Sequence, residues 1–122
     1  MNNMNKRKNV ITENYLDKIP SHPEHLVWKT NTDGIVTLKI ENTGWANRIA
    51  QTIFGRPRFS YVHLDKFGSF IWSLIDGTKS ITDLGKLVDA EFGEKAYPLY
   101  ERLVHYFKIL DSYHFIQWVK TE

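Results

Sequence analysis

The spacing of apolar residues along the chain switches between strand and helix periods, and each switch marks a new kind of element. Leu26, Val27 and Trp28 precede the turn Asn31-Thr32-Asp33-Gly34, and Ile35, Val36, Leu38 and Ile40 follow it. Alternation at Val36, Leu38 and Ile40 turns one apolar face inward, and Asp-Gly between two such runs is a strong hairpin signal. From Trp45 to Gly55 the period becomes helical: Trp45, Ile49 and Ile53 repeat along one face, with Ala46, Ala50 and Phe54 beside them. Gly55 and Pro57 stop that segment, so a short helix is expected between the second and third strands. Phe59, Tyr61 and His63 then alternate with Ser60 and Val62 as a third strand.

The remainder reads as helical. Asp65 caps a helix with apolar positions Phe67, Phe70, Ile71, Leu74 and Ile75, and Gly77 ends it. Ser80 and Asp83 have capping-box spacing at the start of a second helix, whose expected buried stripe is Ile81, Leu84, Leu87, Val88 and Phe92, with Gly93 as the stop. A third helix is expected from Lys95 or Ala96 to Leu110, with Pro98 in its first turn and Leu99, Leu103, Phe107 and Leu110 as its stripe. His114 to Val119 reads as a short closing strand or an extended tail. The segment Tyr15 to Pro23 has Tyr15, Leu16 and Ile19 as anchors and two prolines that keep it extended, an arm laid over the domain. Residues 1 to about 12 bury almost nothing and read as a tail. The expected fold is α+β and winged-helix-like: a small antiparallel three-stranded sheet followed by a three-helix bundle, with an extra short helix between strands 2 and 3. Residues 1–24 would be tail and arm, and 25–122 the folded domain.

Composition narrows the chemistry. One chain of 122 residues, 42% apolar and 25% charged, is the size and balance of a single globular domain. It has no cysteine, which removes disulfides, thiolate nucleophiles, iron-sulfur ligation and cysteine-based zinc sites together. Residues 1–61 hold nine Lys/Arg against five Asp/Glu, a balance of +4, and residues 62–122 hold seven against nine, a balance of −2. No stretch reaches the roughly 18 consecutive apolar residues of a membrane span. Lys6, Arg7 and Lys8 are followed by polar residues instead of the apolar run of a secretory signal, so the expected location is the cytoplasm, with no membrane.

No constellation points to catalysis. His22 and His25 have ligand-like spacing, but Pro23 lies between them and no further His or carboxylate cluster stands nearby, so they read as surface histidines and no metal is expected. His63 and Asp65 are close, yet Asp65 is better explained as a cap. Neither glycine-containing turn has the spacing of a phosphate loop. No catalytic residue and no cofactor is assigned. A winged-helix outline raises DNA binding by the third helix, but Lys95, Arg102 and Lys108 there are cancelled by Glu94, Glu101 and Asp111. A DNA-binding regulator using the basic tail is therefore the second reading, and nucleic acid is disfavoured. The third helix carries Tyr97, Tyr100, Val104 and Tyr106 beside its main stripe. These either cover the sheet and arm or line an aromatic groove beside the strand Arg58 to His63, whose free edge accepts a peptide as an added strand. The segment Trp45 to Phe54 has the same two readings, sheet cover or protein contact.

His63 to Gly93 resembles the PqqD family of peptide chaperones, the RiPP recognition elements. The family pattern of a Leu-Asn/Asp cap, small residues, an Ile-Trp pair, an Asp-Gly turn, a Thr/Ser-capped helix and a Phe-Gly stop is matched by Leu64-Asp65, Gly68-Ser69, Ile71-Trp72, Asp76-Gly77, Ser80 and Phe92-Gly93. The likeness extends from about Phe59 to Phe115. It implies three antiparallel strands and three helices without catalysis, binding the leader of a ribosomally made precursor peptide and presenting it to a modifying enzyme, often a radical SAM enzyme. Carried over by position, the peptide-binding residues are Phe59, Ser60, Tyr61 and Val62 on the third strand and Tyr100, Leu103, Val104, Phe107 and Lys108 on the third helix. Residues 1–24 and 44–57 have no counterpart in short members and are open to two roles, contact with a partner enzyme or filling of the peptide groove. A homodimer is compatible with the sequence.

Overall fold

The computed structural model describes residues 15–41 and 58–120. They fall into two compact units: one is Glu24–Ser69, and the other joins the chain before Glu24 to the chain after Ser69. Among the described residues the architecture is α+β, with a three-stranded antiparallel sheet and three helices. The expected helix over 44–57 and the tail over residues 1 to 12 lie outside the described residues.

In the first unit, β3 (Val36–Glu41) is central, antiparallel to β2 (Val27–Thr30) on one side and β4 (Phe59–His63) on the other. The hairpin turn is built by Asn31. Its side chain accepts the N–H groups of Asp33 and Ile35, each at 2.9 Å, and its carbonyl accepts the Gly34 N–H at 3.0 Å. Gly34 has φ +81°, the left-handed position that closes a three-residue hairpin loop at no steric cost. The expected alternation holds at Val36 and Leu38, which are fully buried while Thr37 and Lys39 are not, but Ile40, expected on the same face, is only half-buried near the end of the strand.

The β3–β4 ladder ends in a side chain. Leu64 N–H donates to the Val36 carbonyl at 2.9 Å, while the Val36 N–H goes to Ser69 Oγ at 2.9 Å. The same hydroxyl donates to the Leu64 carbonyl at 3.2 Å. Ser69, only 2% exposed, thus replaces one ladder bond and leaves neither backbone group unpaired. It belongs to α1 (Lys66–Leu74), whose first turn is capped by Asp65: the Gly68 N–H donates to Asp65 Oδ1 at 2.7 Å.

In the second unit, α1 continues with Ile71 and Trp72 fully buried. The turn after it is closed by Asp76, which accepts the ammonium of Lys79 at 2.6 Å and the hydroxyl and N–H of Thr78 at 2.6 and 2.9 Å. Lys79 first, then Thr78, holds the Asp76 carboxyl well below the usual carboxylate range. α2 (Ile81–Phe92) starts with the expected capping box: Ser80 Oγ accepts the Asp83 N–H, and the Asp83 carboxylate accepts the Ser80 N–H. Ile81, Leu84 and Val88 are buried, but Leu87 is 39% exposed, a departure from the expected stripe. The cause is the close approach of the third helix, α3 (Leu99–Ser112), at Gly85, where a Cβ would stand 2.7 Å from Cε1 of Tyr100. This contact turns the 81/84/85/88 face inward and leaves Leu87 outside it.

α3 spans Leu99–Ser112 and begins later than the periodicity predicts. The ring of Pro98 disfavours helical backbone at the residue before it, and Tyr97 is extended, with φ −69° and ψ 138°. Lys95 and Ala96 therefore close a separate 3-10 turn, Gly93–Ala96, and Pro98 stands at the N-cap of α3 instead of inside its first turn. Leu103, Phe107 and Leu110 are buried as expected.

The arm is fastened by backbone. β1 (Pro20–Ser21) pairs antiparallel with β5 (Gln117–Trp118), so the end of the chain is the closing strand. The Val119 N–H donates to the Ile19 carbonyl at 2.8 Å, the Ile81 N–H to the Lys18 carbonyl at 3.0 Å, and the Thr82 hydroxyl to the Leu16 carbonyl at 3.1 Å. Ile81 is the first residue of α2, so the arm supplies an acceptor that the helix itself lacks.

Candidate functional site

The register of β4 decides which of its backbone groups turn away from β3. Because Leu64 and Val36 form a hydrogen-bonded pair, the alternation of an antiparallel ladder makes Val62–Leu38 and Ser60–Ile40 hydrogen-bonded pairs as well. The N–H and C=O groups of Phe59, Tyr61 and His63 then point away from β3. β4 is an outer strand of the sheet among the described residues, so these three residues present donors and acceptors along an open edge.

Of the four strand residues expected to bind peptide, Phe59 and Tyr61 carry the outward backbone groups, while Ser60 and Val62 spend theirs on β3. His63, absent from the expected set, belongs with the first two. Its signal is the hydrogen-bonding phase of the strand, which requires the pairing with β3 to be known. The side chain of Tyr61 is 58% exposed, and His63 is tied through Nδ1 to Thr37 Oγ1 at 2.8 Å.

On α3 the expected residues divide by burial. Leu103 and Phe107 are fully buried and present no surface, because they face inward on the same line as Leu110. Tyr100, 37% exposed, lies over Gly85, and Val104 is half-buried. Lys108 is exposed, yet its ammonium stands 5.6 Å above the ring of Tyr15 from the arm. Lys18 stands 5.4 Å from the same ring and 5.1 Å from that of Trp118, and Tyr15 and Trp118 meet edge to face at 5.5 Å. Burial first, and the nearby Asp111 carboxylate second, push the Tyr15 phenol up to about 12.

The histidine spacing has a structural explanation at His22. Its ring stacks on Trp72 at 4.2 Å, and its Nε2 is 3.0 Å from the Trp72 carbonyl. Burial lowers its pKa, opposed by that backbone hydrogen bond. Among the described residues no group of three or more His, Asp or Glu side chains is placed to hold a metal ion, and no helix is long and apolar enough to cross a membrane. What the arrangement offers is main-chain hydrogen bonding at an open strand edge, with one exposed aromatic side chain on that strand.

A family model described as Coenzyme PQQ synthesis protein D (PqqD) matches residues 47–116, more than half of the chain. No curated protein and no solved structure matches it.

Proposed function

The chain belongs to the PqqD family, and from that membership we propose that it captures the leader of a ribosomally made precursor peptide and hands the peptide to a radical SAM maturase. The membership itself implies a non-catalytic, peptide-binding chaperone role in the making of PQQ or another peptide-derived product. The finer reading gives the peptide a place: it adds as a strand beside β4, in a winged-helix-like frame, in the cytoplasm. The observation that carries it is the row of outward N–H and C=O groups at Phe59, Tyr61 and His63, which matches what an extended peptide needs.

In this reading main-chain bonds to those three residues supply affinity, and side chains supply choice. Ser60 and Val62 contribute side chains only. On α3, Tyr100, Val104 and Lys108 contribute surface, and Leu103 and Phe107 act from beneath by setting where Val104 and Lys108 stand.

The test is an NMR titration of the labelled chain with the N-terminal half of a short peptide encoded beside its gene, with duplex DNA in parallel. The expected result is saturable shifts on residues 58–63 and 99–108 with peptide alone. Silence with peptide, or shifts with DNA that fade steeply as salt rises, overturns the reading.

A further inference from the structure

On the face of the three-stranded sheet opposite Val36 and Leu38, Val27, Lys29, Glu41, Tyr61 and His63 are exposed and Thr37, Lys39 and Phe59 half-buried. Cross-strand register aligns Val27, Lys39 and Tyr61 in one row and Lys29, Thr37 and His63 in the next, with Glu41 opposite Phe59 beyond them. Val27 is 60% exposed, and it stands with Tyr61 on either side of Lys39. Two apolar side chains exposed to water thus flank one cation on this face.

The charges on this face are unevenly committed. Arg58 is paired with Glu41, its Nη2 3.1 Å from Oε1, and its guanidinium also lies 5.6 Å from the Phe59 ring. Lys39 holds its ammonium 4.2 Å from the same ring. Lys29 makes no ion pair among the described residues. After the Arg58–Glu41 pair cancels, Lys29 and Lys39 leave the face cationic. They sit diagonally across β2 and β3, which places the two residues about 7–8 Å apart and their Cβ atoms somewhat closer.

We propose that this face docks an acidic segment of a partner protein, with carboxylates meeting Lys29 and Lys39 and apolar side chains covering Val27 and Tyr61. Charge complementarity selects the sign of the partner. The apolar share selects protein over nucleic acid, because phosphate recognition draws its affinity from many cations, and this face has two that no carboxylate pairs among the described residues. The surface is separate from the backbone edge of β4, so peptide capture and partner docking proceed on different atoms of one small sheet. The proposal does not depend on the peptide being a leader.

The probe is a short synthetic peptide of alternating Glu, Leu, Glu and Tyr, titrated into the full labelled chain beside its Gln-for-Glu counterpart and a short oligothymidylate. The expected result is saturable shifts at Lys29, Thr37, Lys39 and Tyr61 with the Glu peptide, and affinity lower by roughly tenfold or more with the Gln peptide. The double variant Lys29→Glu, Lys39→Glu should lose the Glu peptide and gain a Lys-for-Glu version, which a merely unfolded variant would not do. Equal binding of the Glu and Gln peptides, shifts confined to other residues, or oligothymidylate binding here with the Glu peptide silent each overturns the proposal. A gene-neighbour leader that shifts Phe59, Tyr61 and His63 equally in wild type and double variant separates the two readings. Loss of that leader response alone counts against the leader and leaves this surface standing.

Discussion

Among the described residues, two small sheets use the same backbone chemistry to opposite ends. At β1 and β5 the strands are two residues long, and the backbone around them is paired: Val119 donates to Ile19, Ile81 to Lys18, and Thr82 closes on Leu16. There the hydrogen bonds act as fasteners. At β4 the strand is five residues long, and one of its two edges is left with the groups of Phe59, Tyr61 and His63 pointing outward. An edge of that kind is a template for another chain, and proteins normally shield it. The contrast teaches that substitutions at the fasteners should register as stability, and substitutions at the template as binding.

The largest expected effect is Trp72→Ala. Trp72 is fully buried and carries the stacked ring of His22, so its truncation should cost about 3–5 kcal/mol in chemical denaturation. Protection of the Val119 amide from exchange should fall with it, and an intact arm in this variant would break the assignment of the fastener. Next is Ser69→Ala, which leaves the buried Val36 N–H and the Leu64 carbonyl without a bridge and should cost about 1–3 kcal/mol. Faster exchange at Val36 is the site-specific sign. If stability stays at the wild-type level, the bridging role is wrong.

Tyr61→Pro removes an outward donor and no ladder bond. It should weaken peptide binding by roughly tenfold or more while the denaturation midpoint moves little. Equal losses in both would erase the distinction between template and fastener. Ser80→Ala removes half of the capping box and should cost about 1 kcal/mol, seen as a lower midpoint without any change in peptide affinity.

The smallest effect is a pH dependence from His22. Its folded pKa lies below the ordinary value near 6.5, so between the two values the unfolded chain binds more protons than the folded one. This contribution to stability is complete above about 6.5 and is lost as pH falls through the depressed folded value. The check is the denaturation midpoint against pH in wild type and in His22→Gln. A wild-type curve no steeper than that of the variant across this window contradicts the packing of His22 on Trp72.

Much of this was legible in local sequence. Asn31 to Gly34 announces a turn because an Asn side chain and a residue free to take positive φ act within a few positions of each other. Asp65, Ser80 and Asp83 announce helix starts for the same reason. Two helical details lie beyond what local spacing carries. Leu87 fits the period of the buried stripe, but the approach of Tyr100 onto Gly85 chose the face on either side of it. Pro98 fits a first-turn position, but the backbone of Tyr97 had to leave the helix before it. In the expected binding set, Leu103 and Phe107 were named alongside Tyr100, Val104 and Lys108, and an apolar residue at helical spacing reads the same whether it ends inside or at the surface.

By itself the sequence determined the order of the three sheet strands and the three helices after them, their caps and turns, the exclusion of cysteine chemistry, and the pattern from Leu64 to Gly93 that marks the family. Those are carried by residues near one another in the chain, where spacing and side-chain type suffice. Only the tertiary structure decided that Pro20 pairs with Trp118, that Ser69 completes the ladder between Val36 and Leu64, and that Phe59, Tyr61 and His63 turn their backbone groups away from β3. Each depends on a pairing between distant segments, and hydrogen-bond phase and burial come into being only when that pairing forms.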